Sequence, residues 1–470
     1  VANVRTEVYP AKARHRFVKS FALWINDTLF GQNRSPWLVW EALVLFGAFQ
    51  AFVAISPYAR KDFWVTPTIL AAALYAVVFV CISMGLGSYD RAKRFDYAAI
   101  VRTALSSAAF AGALSVIFYF FAYYDQIGRF TLVFGVGGST LLLIAMRALF
   151  AWVMRQNPYR FTIIGSSPNM DEVVQRSDAR QGFTQIYHHV AWDTLFPGGV
   201  PPTVERLLEA RVCDIVLTKA ALNEAKWIEF AVLALQAKLR VVTEIEFYKQ
   251  VLERLPIDEV SKAEVIQEGI AKRQVLTVAL KRWSDMMMAA VALVVLSPLL
   301  LGIALAIKLS SRGPVLFIQP RQGRYSQPFN MWKFRTMRIE ESRPDAAGGF
   351  TKQADARVTR IGRILRPLHL DELPQLINIL LGDMSVVGPR PEALAFARRM
   401  RQQIPLYELR YLVRPGLTGH AQLNQGYAMD SVEDTKVKLS YDLYYLCQHT
   451  LWLDIQIILR TLFFLAKGAR

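Results

Sequence analysis

The sequence predicts a membrane protein with a four-helix transmembrane bundle, a Rossmann-like α/β middle domain and a C-terminal α-rich domain carrying a re-entrant membrane helix. Three observations predict it. Four long apolar stretches precede residue 155, strand-like and helix-like patterns alternate between 160 and 243, and a fifth apolar stretch, 283–307, is interrupted by Ser297-Pro298. Composition agrees. The 470 residues are 53% hydrophobic yet carry a net charge of +17, with a mean hydropathy of +0.24, as expected of several spans joined to a basic soluble part. The predicted boundaries are a basic N-terminal segment 1–37, spans within 38–155, the α/β domain 156–245, a connector 246–280 and a C-terminal domain 281–470.

The four stretches run over about 38–56, 66–86, 99–123 and 130–153, each long enough to cross a bilayer once at about 1.5 Å per residue. Basic residues set their orientation. Lys12, Arg14, Arg16, Lys19 and Arg34 precede the first span; Arg91, Lys93 and Arg94 separate the second and third; Arg155 and Arg160 follow the fourth. Both ends of the block are therefore expected in the cytoplasm. Glu41 and Arg147 lie near span ends, where they can reach an interface. With so few ionisable side chains there is no ion or proton path, which argues against a transporter or channel.

In the middle domain, 160–165 (RFTIIG), 212–218 (VCDIVLT) and 240–243 (RVVT) read as strands, with helices from near Asp171 and over 222–238. That alternation predicts a small doubly wound domain. Gly165 follows the first strand without a GxGxxG run, so the dinucleotide fingerprint is missing. His188 and His189 would face opposite sides of a strand. Cys81, Cys213 and Cys447 follow no ligand or disulfide spacing and read as small buried hydrophobes.

The fifth stretch is flanked by Lys281-Arg282 and by Lys308. Positive charge on both sides does not favour crossing, and Pro298 removes a helical donor near the middle. A helix-break-helix that turns back is expected; a kinked ordinary span is the alternative, and it would place everything after 308 outside.

The residues beyond 308 carry the chemistry. Arg321, Arg324, Lys333 and Arg335 punctuate a strand-like region with turns at Gly313-Pro314 and Gly323. Arginine meets phosphate oxygens in bidentate fashion, although basic residues beside a membrane also bind anionic lipid. Arg357, Arg360, Arg363 and Arg366 recur every third residue and would line one face of a helix. Asp371-Glu372 follows, with Pro374 suited to a first helical turn and Asp371 placed at or near an N-cap. Capping is one role for such an acid. The other is phosphoryl chemistry, in which one carboxylate attacks phosphorus and its neighbour holds a divalent ion. His369 and Ser385 are rival nucleophiles without a recognised elbow or triad. Asp383, Arg390 in the Gly388-Pro389-Arg390-Pro391 turn, and Arg414 in the Arg414–Gly419 turn complete the candidate substrate-binding set. Residues 451–465 read as an amphipathic interfacial helix or a packed one.

The residues Lys281-Arg282…Asp285, Ser297-Pro298, Lys333–Met337, Leu370–Glu392, Arg414–Gly419 and Tyr441–Tyr445 together resemble the large branch of the bacterial polyprenyl-phosphate hexose-1-phosphate transferases, monotopic-type phosphoglycosyl transferases that initiate exopolysaccharide, capsule or O-antigen synthesis. The resemblance implies a helix that turns back at Ser297-Pro298 and a catalytic domain on the cytoplasmic face of the bacterial inner membrane. It also implies Asp371 as the nucleophile on a UDP-sugar, release of UMP, transfer to undecaprenyl phosphate, and Glu372 as a ligand to Mg2+ or Mn2+. UDP-glucose or UDP-galactose is the expected donor. Serine often stands where this chain has His369, which leaves that residue's role open. Membrane lipid contact and a homodimer through the middle domain are expected. Nucleic acid is not: there is no zinc-finger spacing, basic zipper or aromatic RNA-binding motif. A catalytically degenerate membrane sensor, whose α/β domain binds a ligand, is the rival reading.

Overall fold

The computed structural model describes residues 35–55, 66–88, 96–122, 129–156, 159–178, 187–196, 204–271, 275–338, 357–425 and 431–466. The basic residues before 35 and those at 91–94, which set the predicted orientation, lie outside them. Two compact units are present: 1–80 with 104–147, and 81–103 with 148–470.

Helices α1 (Ser35–Ile55), α2 (Thr66–Gly85), α3 (Tyr97–Ala122) and α4 (Arg129–Gln156) match the four apolar stretches. Among the described residues, Tyr97–Ile117 and Val133–Val153 are long and apolar enough to cross a membrane, while Val39–Ile55 and Ile69–Gly85 are shorter apolar helices. The first unit is built inside out. Phe110, Val133 and Leu141 are exposed, whereas Ser107, Ser115, Ser139 and Thr140 are buried. Apolar surroundings are what such a surface requires, and the unit is membrane-associated. The inward hydroxyls donate within their own helices, Ser139 Oγ to the Gly135 carbonyl (2.6 Å) and Thr140 Oγ1 to that of Val136 (2.6 Å). Glu41 and Arg147 do not reach an interface as expected. They form a bidentate pair (2.9 and 2.6 Å), buried between α1 and α4, because an ion in apolar surroundings is best satisfied by another.

The middle of the chain folds as β1 (Tyr159–Ile164), α5 (Pro168–Asp178), β2 (Tyr187–His189), α6 (Val204–Glu209), β3 (Val212–Leu217), α7 (Ala225–Gln236) and β4 (Arg240–Thr243). All three strand pairings are parallel, in the order β2-β1-β3-β4. Strands covered on both faces read as continuous apolar runs, which is why β1 and β3 were visible, and the strand expected at His188-His189 is the three-residue β2. The His189 ring packs on Phe161.

Residues 246–271 and 275–280 of the connector are described. The connector forms α8 (Glu244–Leu252) and α9 (Lys262–Ala271), and Leu255, Val260 and Val265 enter the same core as Phe396, Tyr407 and Leu443. The fifth apolar stretch is α10 (Val275–Val295) and α11 (Ser297–Ser310), bent by 63°. Pro298 lacks the N–H that would bond the Val294 carbonyl. Ser297 Oγ donates to that carbonyl instead (2.7 Å), so the break leaves no orphan there.

The remainder is α/β rather than simply α-rich. β5 (Leu316–Gln322) and β6 (Pro328–Phe334) form an antiparallel hairpin. After α12 (Gly362–Leu365), the 3₁₀ turn Leu370–Glu372 and α13 (Gln375–Leu381), β7 (Ser385–Val387) leads to α14 (Leu394–Gln403) and the 3₁₀ turn Tyr407–Leu412. β8 (Gly416–Thr418) pairs in parallel with β7, followed by α15 (His420–Asn424), α16 (Val432–Gln448) and α17 (Leu451–Ala466). α17 combines the two expected roles: Ile457 is buried against Val387 and Tyr445, while Leu462 and Phe464 are exposed.

Candidate active site

The acid pair does not cap a helix. Asp371 and Glu372 occupy the 3₁₀ turn, and Pro374 stands at the N-cap of α13. His369 begins the turn at φ 53°, a left-handed conformation uncommon for a residue with a Cβ. Leu370 and Leu373 pack onto Ile303 and Ile307 of α11, together with Phe334 and Leu365. The pair therefore rests directly on the second leg of the bent helix pair.

Glu372 is buried. Its Oε1 accepts from Lys333 Nζ of β6 (2.8 Å) and from Arg390 in the Gly-Pro-Arg-Pro turn (2.8 Å). Burial alone would raise its pKa. Arg390 and Lys333 outweigh that and hold it well below the usual carboxylate range. Asp371 behaves oppositely: burial, reinforced by the negative charge of Glu372, raises its pKa, and Lys333 and Arg366 oppose this only in part. Arg366 is itself oriented by Thr336 Oγ1 (2.9 Å). Arg321 of β5 stands in the fields of Glu392, Arg390 and Glu372.

Glycines let this site close. A Cβ on Gly388 would strike the Arg414 carbonyl, and one on Gly419 the Gly388 carbonyl. The Arg414–Gly419 turn is thus a template against which the Arg390 turn is pressed. Gly388 N donates to the Thr418 carbonyl (2.9 Å) and Gly416 N to that of Pro389 (2.9 Å).

Lys333, Arg366, Asp371, Glu372, Arg390 and Arg321 are therefore brought together. The others are not. Arg335 is buried and donates to the carbonyls of Arg312 (2.6 Å) and Ser311 (2.9 Å). Arg414 donates to the Gly382 carbonyl at the far end of α13 (3.0 Å), Arg324 lies over the Tyr325 ring (4.4 Å), and Asp383 accepts from Asn378 (3.2 Å). Arg360 and Arg363 are exposed. They share no continuous helix with Arg357 and Arg366, because only Gly362–Leu365 is helical there.

Sequence reasoning missed Asn378. It is wholly buried, accepts from Trp332 N (3.0 Å) and donates to the Asn330 carbonyl (2.8 Å), fixing α13 against β6. The signal was an amide interrupting the apolar run LINILL that follows Gln375, since a buried polar group must be paired.

Residues 276–468 match the model of the family described as Bacterial sugar transferase. The chain is 42% identical over 192 residues to the Exopolysaccharide production protein PSS of Rhizobium leguminosarum bv. phaseoli, covering 40% of this chain and 94% of that one. The chain belongs to the bacterial sugar transferase family. It is 45% identical over 193 residues to the UDP-glucose:undecaprenyl-phosphate glucose-1-phosphate transferase of Escherichia coli (strain K12), covering 40% of this chain and 41% of that one. It is also 44% identical over 183 residues to a UDP-N-acetylgalactosamine-undecaprenyl-phosphate N-acetylgalactosaminephosphotransferase of Aeromonas hydrophila, 39% of this chain and 43% of that one. The match thus spans only about two fifths of the length of these last two sugar transferases.

Proposed function

We propose that the chain transfers a sugar-1-phosphate from a UDP-sugar, UDP-glucose or UDP-galactose by preference, to undecaprenyl phosphate, as the first membrane step of exopolysaccharide, capsule or O-antigen synthesis. The observation that carries this reading is the division of labour in the acid pair. Lys333 and Arg390 bond Glu372, which stays ionised, while no cation among the described residues bonds the Asp371 carboxylate beside them. Asp371 attacks the β-phosphorus of the donor, the bond to the bridging oxygen breaks, and UMP leaves. An oxygen of undecaprenyl phosphate then attacks the same phosphorus. The aspartyl–phosphorus bond breaks, giving undecaprenyl-diphospho-sugar and regenerating the carboxylate. Arg366 and Arg321 offer positive charge to the phosphates.

A divalent ion fits these residues. Magnesium is bound through one or two carboxylates plus substrate phosphates and retains several waters, and Glu372 is an ionised carboxylate next to Asp371. Mg2+ or Mn2+ held there by Glu372 and the diphosphate would screen phosphate charge.

The bent helix pair supports re-entrance. On α10, Arg282 donates to the carbonyls of Ile379 (2.5 Å) and Leu380 (2.8 Å), and Ala289 packs with Leu376 and Met384. On α11, Ile303 and Ile307 pack under the acid pair. Both legs lie on one polar body, while Val291, Val294, Leu301 and Leu305 are exposed. A crossing pair would drag that body into lipid. The four N-terminal helices complete a multi-pass, inner-membrane protein with the acids on the cytoplasmic face. The middle sheet is read as Rossmann-like, and the exposed stripe Ile228, Val232 and Leu235 on α7 offers a second copy of the chain an apolar face.

The test is release of UMP from a panel of UDP-sugars by membranes holding the chain and undecaprenyl phosphate, with the donor labelled in its sugar. No turnover with any donor would leave the degenerate-sensor reading. For topology, cysteines placed at Leu280 and Arg312 in a background free of the native three should react with an impermeant maleimide from the same side; labelling from opposite sides refutes re-entrance.

A further inference from the structure

Arg390 reaches Glu372 from a turn that has few ways to hold itself in place. Pro389 and Pro391 carry no N–H and fix their own φ, so the turn is anchored largely through its carbonyls. Gly416 N holds the Pro389 carbonyl (2.9 Å), and Gln322 N of β5 holds that of Glu392 (2.9 Å). Of the two carbonyls between them, that of Arg390 itself is held by a side chain: Arg410 donates to it at 3.1 Å.

Arg410 is one of the largest fully buried side chains among the described residues. Its guanidinium forms an ion pair with Asp442 of α16 (2.7 Å), donates to Tyr407 Oη (2.9 Å) and reaches Glu392 Oε1 (3.4 Å). Lys438, one turn before Asp442, also pairs with Glu392. Two of the partners of Arg410, the Arg390 carbonyl and the Glu392 side chain, therefore belong to the turn that delivers Arg390. Asp442 and Tyr407 fix it from behind. A buried guanidinium that served only to fill the core would be neutralised by Asp442 alone; this one spans from α16 to the active-site turn.

We propose that Arg410, backed by Asp442, is a positioning residue that sets where the Arg390 guanidinium meets Glu372. This rests on the transferase reading of the acid pair. Because the turn is stiffened by two prolines, a shift of the Arg390 carbonyl moves the root of its side chain as a unit, and misplacement by about 1 Å can cost about 10²-fold in rate.

The experiment is a double-mutant cycle on the full chain in membranes, reading UMP release. Arg410→Lys keeps the charge but cannot span both partners, and should lower kcat by about 10²-fold with little change in KM. In an Arg390→Ala background the same substitution should cost less than about threefold more. Lys436→Ala, which removes an exposed ion pair with Asp258 (2.7 Å) from the same helix, should combine additively with Arg390→Ala. Equal losses from Arg410→Lys in both backgrounds, or no loss, would overturn the proposal. If Arg410→Lys does not fold, Asp442→Asn runs the same cycle with the same outcomes. A second readout is independent of turnover. The Glu372 carboxylate band, assigned by infrared difference against Glu372→Gln, should titrate at higher pH in Arg410→Lys, with Lys333 still in place and Asp371 alongside. An unmoved band refutes positioning even in a chain that releases no UMP, whereas absent UMP with a shifted band refutes only the transferase reading.

Discussion

Glu244 and Glu372 are two buried glutamates in one chain, and their surroundings drive them in opposite directions. Glu244 opens α8 at the carboxyl end of β4. Burial and the neighbouring Glu259 push its pKa up to about 7, which the contacts with Lys219 only partly offset. Glu372 lies deeper in charge than in space, with Lys333 and Arg390 on one of its oxygens. The difference is the sign of the nearest neighbour. A second carboxylate makes Glu244 a group that prefers to hold a proton. Two cations make Glu372 a fixed anion that keeps its own charge beside Asp371. The position of Glu244 matters too. It stands at the carboxyl end of the parallel sheet β2-β1-β3-β4. Here that end is filled by the chain itself: Ser167 Oγ donates to Glu259 (3.2 Å), and Lys219 Nζ binds the Glu259 carbonyl.

The largest effect that would break this comparison is at Asp371. Asp371→Asn should abolish transfer and covalent labelling, a loss of about 10⁴-fold or more. Retained UMP release or a retained label removes Asp371 as the nucleophile and makes the pair electrostatically interesting but chemically idle.

Next comes Lys333→Met, which removes one of the two cations from Glu372. Transfer should fall by about 10²-fold. The same variant sharpens the reading of Asp371 through pH. An attacking carboxylate must be ionised, and burial and Glu372 raise the Asp371 pKa, so the acid limb of kcat/KM should lie above the ordinary aspartate value of about 3.9. Lys333 lowers that pKa, so its loss should move the limb to still higher pH. A limb that moves down, or not at all, would show that another group controls it.

Much of this was legible in the sequence, for a physical reason. Helices α1 to α4, β1, β3 and the break at Ser297-Pro298 are written in local patterns of apolar residues, proline and glycine. The acid pair and its Lys333 and Arg390 partners were visible as charges in an apolar setting. What was not legible was which charges face inward. Arg335, Arg324 and Arg414 look like Lys333 in sequence, yet their guanidinium groups serve backbone carbonyls or an aromatic face. Assigning them required knowing where the chain leaves carbonyls unpaired. Arg410 and Asn378 were missed for the converse reason: each lies in a mostly apolar stretch, and its key partners, the Arg390 carbonyl and Asp442 for Arg410 and Asn330 and Trp332 for Asn378, lie in elements distant in sequence.

The smallest effect concerns the other half of the comparison. If Glu244 is held protonated by burial and Glu259, the folded chain binds a proton there that the unfolded chain releases once pH exceeds its ordinary glutamate value of about 4.3. Stability from this site is then fully present below that value and is lost as pH rises toward the folded pKa of about 7. Glu244→Gln mimics the protonated form, so it should remove the loss. In the full chain, the variant should melt at a similar temperature to the parent near pH 4.5 and about 2–4 °C higher at pH 8. Hydrogen exchange should place the gain in Tyr159–Ile164, Val212–Leu217 and Glu244–Leu252. Glu259→Gln should relieve part of the same penalty by removing the like charge beside Glu244. A variant that is less stable than the parent at pH 8 would mean that Glu244 is ionised in the fold and serves Lys219 as an anion, which would make the two glutamates alike after all.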